Sequence, residues 1–331
     1  MQVHSSAPTR IDLAGGTLDI WPLYLFHEQA QTLNTAISLR AHCTLSPSLD
    51  GAIHVISEDS GVTVRVRDLA ELDAFPDHRL VARLLRFFRT DPLTIKTWSA
   101  APVGAGLAGS SALNIAVCGA LARWHDRTFT SDDLIELAQN LEAQVIGVPT
   151  GVQDFPPAMY GGLSAIEMGP AGITRVPLSV DLANLERRLL LAYTGESRDS
   201  GINNWAITKR HIDGDQVVYD LFESIRDIAR SMRQALEAED WPEVGRQFAK
   251  EWALRTRLAP AVSTPVIDKL VARGLSAGAR AAKICGAGGG GCLVFFADPS
   301  ALPSVREAVV ASGAQVFDFL IDRNGLCVDT E

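Results

Sequence analysis

The stretch Pro102-Val103-Gly104-Ala105-Gly106-Leu107-Ala108-Gly109-Ser110-Ser111-Ala112 decides how the rest of the chain reads. Small, flexible residues precede two hydroxyls, and an apolar, Ala-rich segment from Leu113 to Ala122 follows. That order is a glycine loop opening into a helix. Glycines let the backbone approach a ligand closely. A new helix offers unpaired N–H groups and the positive end of its dipole. Such a site takes phosphate without a cationic side chain. Ser110 and Ser111 are expected to cap the helix and to offer oxygens to phosphate or Mg²⁺. A plain structural turn is the alternative.

The literal string is weak on its own. Gly104 to Gly109 spells G-x-G-x-x-G, and Gly286-Ala287-Gly288-Gly289-Gly290-Gly291 spells it again. A dinucleotide fingerprint also needs a strand before it, a helix after it and an acidic residue about 20 positions on. The first match has an extended segment (Leu93 to Trp98), a helix and Asp126, whereas the second runs into a strand, Cys292-Leu293-Val294-Phe295-Phe296. No Walker lysine follows either loop. Four consecutive glycines are costly to order and exceed what a tight turn needs. Close approach to a ligand is therefore expected of this second loop, ahead of a plain hairpin.

The chain has 331 residues, 47% of them hydrophobic and 21% charged, with a formal net charge of −9. That length suggests two domains of ordinary size. The acidic balance argues against a nucleic-acid partner. No apolar run approaches a membrane span, and Met1 to Ser6 lacks the basic head and apolar core of a secretory signal. Five scattered cysteines without a C-x-x-C pair point to reduced, mostly buried thiols and a cytoplasmic setting.

Towards the amino terminus, Ala7-Pro8-Thr9-Arg10-Ile11-Asp12-Leu13-Ala14-Gly15-Gly16-Thr17-Leu18-Asp19-Ile20 runs from a short strand into a Gly-Gly turn. Arg10 is suited to clamp a phosphate or hold a carboxylate. Asp19 is placed to accept hydrogen bonds from ligand hydroxyls or, equally, to cap the turn. Alternation over 51–68 predicts a hairpin split at Asp59-Ser60-Gly61. The spacing of Leu80, Val81, Leu84, Leu85 and Phe88 predicts a helix over 78–89.

Towards the carboxy terminus, a helix is expected over 131–147, with Thr130 or Ser131 as its N-cap. Glu142 sits at the edge of its apolar stripe, where a carboxylate is usually solvated. The loop Gly147-Val148-Pro149-Thr150-Gly151-Val152-Gln153-Asp154 then delivers Asp154 beside Phe155-Pro156-Pro157. A carboxylate in so rigid and apolar a setting is suited to act as a general base. Strands are expected over 163–167, 174–177 and 189–193. In the polar loop after them, Arg198 is placed to contact a ligand or, more blandly, a neighbouring acid. Helices dominate from 203 to about 274, with amphipathic segments over 217–238 and 241–257. The strand after the second glycine loop is expected to pair with 315–321 in an α+β sandwich.

Three segments in fixed order, Arg10 to Asp19, Pro102 to Ala112 and Cys285 to Cys292, resemble the GHMP kinase superfamily. That superfamily is named for galactokinase, homoserine kinase, mevalonate kinase and phosphomevalonate kinase. Its central motif, P-x-G-x-G-L-G-S-S-A, is similar to the stretch from Pro102 to Ala112, with Ala108 as one extra residue. The resemblance covers nearly the whole chain. It implies an α+β fold: a ribosomal protein S5-like α/β domain over 1–185, then a ferredoxin-like α+β domain over 186–331, with the active site between them. It implies ATP and Mg²⁺ as cofactors. Pro102, Gly104, Gly106, Leu107, Gly109, Ser110, Ser111 and Ala112 would surround the phosphates, and Ser111 and Glu142 would hold the metal. Asp154 would be the general base, with Arg10 beside it to stabilise charge. Gly16, Thr17, Asp19, Gly161, Arg198, Gly288 and Gly289 would line the acceptor site.

Subfamily signals point to sugars. Gly151-Val152-Gln153-Asp154 looks like the sugar kinases, since the mevalonate branch places its Asp two after the glycine. Ala14-Gly15-Gly16 before Asp19 is similar to the heptose 7-phosphate kinases and the fucokinase domain, with Thr17 and Leu18 in exchanged order. The implied activity is phosphorylation of the anomeric hydroxyl of a sugar or sugar phosphate. D-glycero-D-manno-heptose 7-phosphate is the expected acceptor, with galactose, fucose and a uronic acid as alternatives. Arg198 would bind a phosphate that the sugar already carries. A non-catalytic sugar and ATP sensor is a second reading, opposed by the presence of Asp154, Ser111 and Glu142. A Rossmann oxidoreductase is a third, opposed by the loop's late position. A homodimer is left open.

Overall fold

The computed structural model describes residues 1–196 and 201–331. In chain order the first half carries β1 (Val3–Ala14), β2 (Ala30–Pro47), β3 (Ile53–Ser57), β4 (Val62–Val66), α1 (Arg79–Phe88), β5 (Leu93–Ser99), α2 (Gly109–Trp124), α3 (Ser131–Ile146), α4 (Phe155–Tyr160), β6 (Leu163–Gly169) and β7 (Gly172–Pro177). The second half carries α5 (Leu182–Glu186), β8 (Leu189–Tyr193), α6 (Gly201–Ile212), α7 (Gln216–Glu237), α8 (Trp241–Leu258), α9 (Pro265–Ser276), β9 (Ala279–Ile284), β10 (Cys292–Ala297), α10 (Leu302–Val310), β11 (Gln315–Phe317) and β12 (Cys327–Thr330).

The first sheet runs β12-β1-β2-β5-β3-β4, and the β6-β7 hairpin branches from β2. Its backbone is the pair β1–β2, in register from Val3↔Leu45 to Ala14↔Leu33. Residues 30–47 form one long strand, β2, with a register shift opposite Pro8/Thr9. Proline cannot donate to a ladder, so an irregularity there fits. One face of this sheet packs on α1, α2 and α3, and α2 is buried along most of its length from Ser111 to Ala122. Small residues on α2 let it lie close: a side chain at Gly119 would meet Leu326 at 2.9 Å.

The second sheet is antiparallel, in the order β11-β8-β10-β9. Counting these strands along the chain gives the order 4-1-3-2 of a ferredoxin-like unit. β10 therefore does not pair with 315–321 as expected. It lies between β8 and β9, and β11 adds to the far edge of β8. β10 is buried at every residue, so it needs a neighbour on both edges. α8 covers one face of this sheet, and α7 packs on α8 and on β1 and β2 of the first sheet. Their core is shared with the first sheet, since Ile11 and Leu33 cluster with Leu191, Met232, Phe248 and Phe296. The chain's last strand, β12, returns to the first sheet and pairs with β1 from Val3↔Thr330 to Ser6↔Cys327. Among the described residues, no helix is long and apolar enough to cross a membrane.

Candidate active site

The glycine loop at 102–109 leads from β5 into α2. The N-cap position of α2 is Ala108, which supplies no side-chain acceptor. Ser110 and Ser111 therefore do not cap the helix as expected, because they stand inside its first turn. Their hydroxyls turn instead to Glu142: Ser110 Oγ donates to Oε1 at 3.0 Å, and Ser111 Oγ donates to Oε2 at 3.2 Å. Thr150 Oγ1 adds a third hydrogen bond to Oε2 at 3.1 Å. The first turn of α2 is left without a side-chain cap, at the point where a loop of small residues meets it.

Glu142 is 7% exposed, against the expectation of a solvated edge residue. α3 packs on α2, and the stripe edge that carries Glu142 faces the start of α2. Burial, then the nearby charge of Asp154, pushes the Glu142 carboxyl up to about 7. The carboxylate is surrounded by hydroxyls, and every donor here is oxygen. That is the set a hard divalent cation takes.

Arg10 joins the two halves of the site. Its Nε and Nη2 donate to Asp154 Oδ1 at 2.9 and 2.6 Å, and its Nη1 donates to the carbonyl of Gly106 at 2.7 Å. Its own backbone N–H donates to Leu107 O at 3.0 Å. Burial alone would lower the Arg10 guanidinium, but Asp154 and Asp12 outweigh it and hold the charge firmly. Asp154 stands at the N-cap position of α4 and makes no cap there, because its side chain is committed to Arg10. Its side chain is 22% exposed, so it keeps access to a ligand.

Asp19 is buried against the loop that carries Asp154. Its Oδ2 accepts from Gln153 N at 3.2 Å, and its carbonyl accepts from Val152 N at 3.2 Å. A side chain at Gly151 would meet Oδ2 at 2.3 Å, so this glycine is what lets the two segments touch. Burial first, then Asp154, pushes the Asp19 carboxyl up to about 7. Thr17 is buried in the same turn, with its carbonyl accepting from Ile20 N at 3.4 Å.

Four residues expected at the acceptor site are packed closely against protein. A side chain on Gly16 would strike Arg255 Nη1 at 2.5 Å and Asp12 Oδ2 at 2.9 Å. Gly161 is pressed against the backbone of residues 323–325. The second glycine loop does make a close approach, but to protein backbone. Gly288 abuts Val262 O, and Gly289 N donates to that carbonyl at 2.8 Å. Gly291 abuts Ala105 O in the first glycine loop, and Cys292 N donates to that carbonyl at 2.8 Å. Arg198 lies outside the described residues.

Other residues here escaped the sequence reading. Thr150 was one hydroxyl in a loop. Asp12, Glu251, Arg255 and Lys283 form a buried ion network under the Gly15-Gly16 turn. Lys283 Nζ donates to Asp12 Oδ2 and to Asp12 O, each at 2.9 Å. The signal existed: Asp12 lies between Ile11 and Leu13, and Lys283 between Ala282 and Ile284. A charge inside an apolar strand run needs an opposite partner.

Residues 78–162 match the GHMP kinases N terminal domain, and residues 232–315 match the GHMP kinases C terminal domain. The chain is 28% identical to the D-glycero-alpha-D-manno-heptose 7-phosphate kinase of Campylobacter jejuni, over 98% of each chain. It is 27% identical to the bifunctional fucokinase/GDP-fucose pyrophosphorylase of Arabidopsis thaliana, over 97% of this chain but 32% of that larger protein. Among solved structures, a D-glycero-D-manno-heptose 1-phosphate kinase from Bacteroides thetaiotaomicron superposes with a TM-score of 0.81 at 23% identity, over 99% of each chain. The chain belongs to the GHMP kinases, phosphotransferases that carry phosphate from ATP to a hydroxyl acceptor.

Proposed function

We propose that the protein is a Mg²⁺-dependent sugar 1-kinase whose acceptor is a heptose 7-phosphate or a close relative. The observation that carries this reading is the Arg10 guanidinium, bonded at once to a phosphate-loop carbonyl and to Asp154. Both Arg10 bonds to the carboxylate fall on Oδ1. That leaves Oδ2 for the acceptor hydroxyl, whose proton Asp154 takes. An anomeric hydroxyl is more acidic than an ordinary alcohol, so a carboxylate base is adequate. Arg10 then holds the charge between base and phosphate loop in a fixed place, which is the kind of contribution phosphoryl transfer needs most.

The metal site fits the same reading. Glu142 is a buried carboxylate with three hydroxyl partners, and Mg²⁺ is usually held by one or two carboxylates plus phosphate oxygens. Ser111 and Glu142 would hold the ion, and it would neutralise charge on the transferring phosphate. Asp19, buried beside the base, is the candidate partner for a sugar hydroxyl.

The test is ADP release with Mg-ATP across heptose 7-phosphate, galactose, fucose, glucuronic acid and mevalonate. Turnover on one sugar, lost in Asp154→Asn, is the expected result. Binding of ATP with no turnover on any sugar would favour the sensor.

A further inference from the structure

Beneath the Gly15-Gly16 turn lies a closed set of buried charges, of which the proposed proton transfer uses Arg10 and leaves Asp12, Glu251, Arg255 and Lys283 without a role. Asp12, Glu251 and Lys283 are 0% exposed, Arg255 is 2% and Arg10 is 3%. With Asp154 they make three cations, Arg10, Arg255 and Lys283, against three carboxylates, Asp12, Glu251 and Asp154. They come from β1, α8, β9 and the start of α4. All but Asp154 also grip backbone near the site. Gly15 N–H donates to Glu251 Oε1 at 3.1 Å, Gly286 N–H donates to Asp12 Oδ1 at 3.0 Å, and Arg255 Nη2 donates to Gly286 O.

The geometry contains a competition. Arg10 Nη1 is 3.7 Å from Asp12 Oδ1, and Arg10 Nη2 is 2.6 Å from Asp154 Oδ1. A desolvated carboxylate at Asp12 would draw Arg10 away from Asp154 unless other cations satisfied it. Lys283, at 2.9 Å, and Arg255, at 3.4 Å, do so. Burial alone would raise Asp12, but Lys283, Arg10 and Arg255 together keep it ionised, below the usual carboxylate range.

We propose that Lys283 and Arg255 are positioning residues: by occupying Asp12 they leave Arg10 to the phosphate loop and to Asp154. The inference rests on the kinase reading of this site. It ties the second sheet to the setting of Arg10 on β1 and so to the base beside it, with Lys283 reaching across from β9.

Four proteins test it: wild type, Lys283→Met, Asp12→Asn and the double variant, each checked for folding by circular dichroism. On the sugar that wild type phosphorylates, Lys283→Met is expected to lose about 100-fold in kcat, the cost of a misplaced catalytic group. KM for Mg-ATP should rise far less. Asp12→Asn in the same chain removes the competitor, and kcat should recover by about tenfold or more.

The acid limb of the kcat–pH profile gives a readout that a purely structural role would not move. Lys283→Met leaves one negative charge uncompensated among Arg10, Asp12, Asp154, Glu251 and Arg255, so proton uptake becomes easier and the limb moves to higher pH. The Cys285 thiol also faces this set; burial and Asp12 push it up to about 12, so it stays neutral. The double variant should return the limb to its wild-type position. Unchanged kcat in Lys283→Met, or no recovery in the double variant, overturns the proposal.

Where Lys283→Met does not fold, Arg255→Gln removes the other cation on Asp12 and takes its place. Amide hydrogen exchange over residues 10–16 and 104–107 separates this inference from the kinase reading. Faster exchange in Lys283→Met, reversed by Asp12→Asn, supports the positioning role even if wild type is silent on every sugar, in which case the kinase reading alone falls. Unchanged exchange overturns the positioning role whatever the activity.

Discussion

Asp154 and Asp19 are two carboxylates on segments that touch, and their surroundings give them different work. Asp154 faces Arg10 and keeps some exposure, whereas Asp19 is buried with backbone partners and feels Asp154 as a like charge. Asp154→Asn keeps the shape and removes the base. Turnover should fall by about 1000-fold or more while Mg-ATP affinity, measured by calorimetry, changes little. Retained turnover would remove Asp154 from the base role. Asp19 yields a stability prediction. Its carboxyl sits at about 7 in the folded chain against an ordinary 3.8, so between these values the folded state holds a proton that the unfolded state has lost. Stability from this group is full below the unfolded value and is lost as pH rises through the folded one. Asn does not titrate. The melting temperature of Asp19→Asn should therefore climb relative to wild type between pH 4 and 7, by a few degrees. A constant difference across that range would count against the buried, proton-holding Asp19.

At the scale of elements, the two glycine loops act as one joint. Gly106 has φ +74°, and a side chain there would meet Cys285 O at 2.4 Å. Gly106→Ala should thus cost at least about 2 kcal/mol, from left-handed backbone strain and the clash together. It should also weaken Mg-ATP binding, since the same residue supplies the carbonyl that Arg10 holds. Thermal unfolding and nucleotide titration of the one variant would show both effects, and a normal ATP affinity would detach the joint from the phosphate site. This joint also marks where sequence reading stopped. The first glycine loop, α3, α7 and α8 were legible because periodicity and capping are local signals, and motif order singled out Arg10 and Asp154; the burial of Glu142 was not, because it depends on how α3 packs on α2. The partner of the second loop was not, because a run of glycines reports close approach without saying to what. Serine caps were misread for a related reason: Thr130 does cap α3, accepting from Asp133 N, but Ser110 and Ser111 fall inside the helix by one and two residues. The buried set at Asp12, Glu251, Arg255 and Lys283 joins residues up to 271 positions apart, and no window along the chain reveals such a pairing.

Across the whole molecule, three separate ties bind the second sheet to the first. The charge set links β1 to α8 and β9, the glycine loops share backbone hydrogen bonds, and Ile11 and Leu33 share a core with Phe248 and Phe296. The chain's end adds a fourth: β12 completes the first sheet beside β1, while Leu326 and Val328 fill the space above Gly119 on α2. Two sequence-adjacent domains joined by a simple linker would be expected to melt separately. Here the first sheet cannot form fully until the last residues of the chain have arrived. The protein should therefore unfold in one calorimetric transition, with calorimetric and van't Hoff enthalpies nearly equal. Removing residues 327–331 strips the ladder from β1 and uncovers part of α2. That deletion should lower the single transition as a whole, by several degrees, and should leave no domain that melts at the wild-type temperature. A second transition at the wild-type temperature in the shortened chain would show that the two sheets are energetically independent. It would also remove the physical ground for an arginine on one sheet being positioned by a lysine on the other.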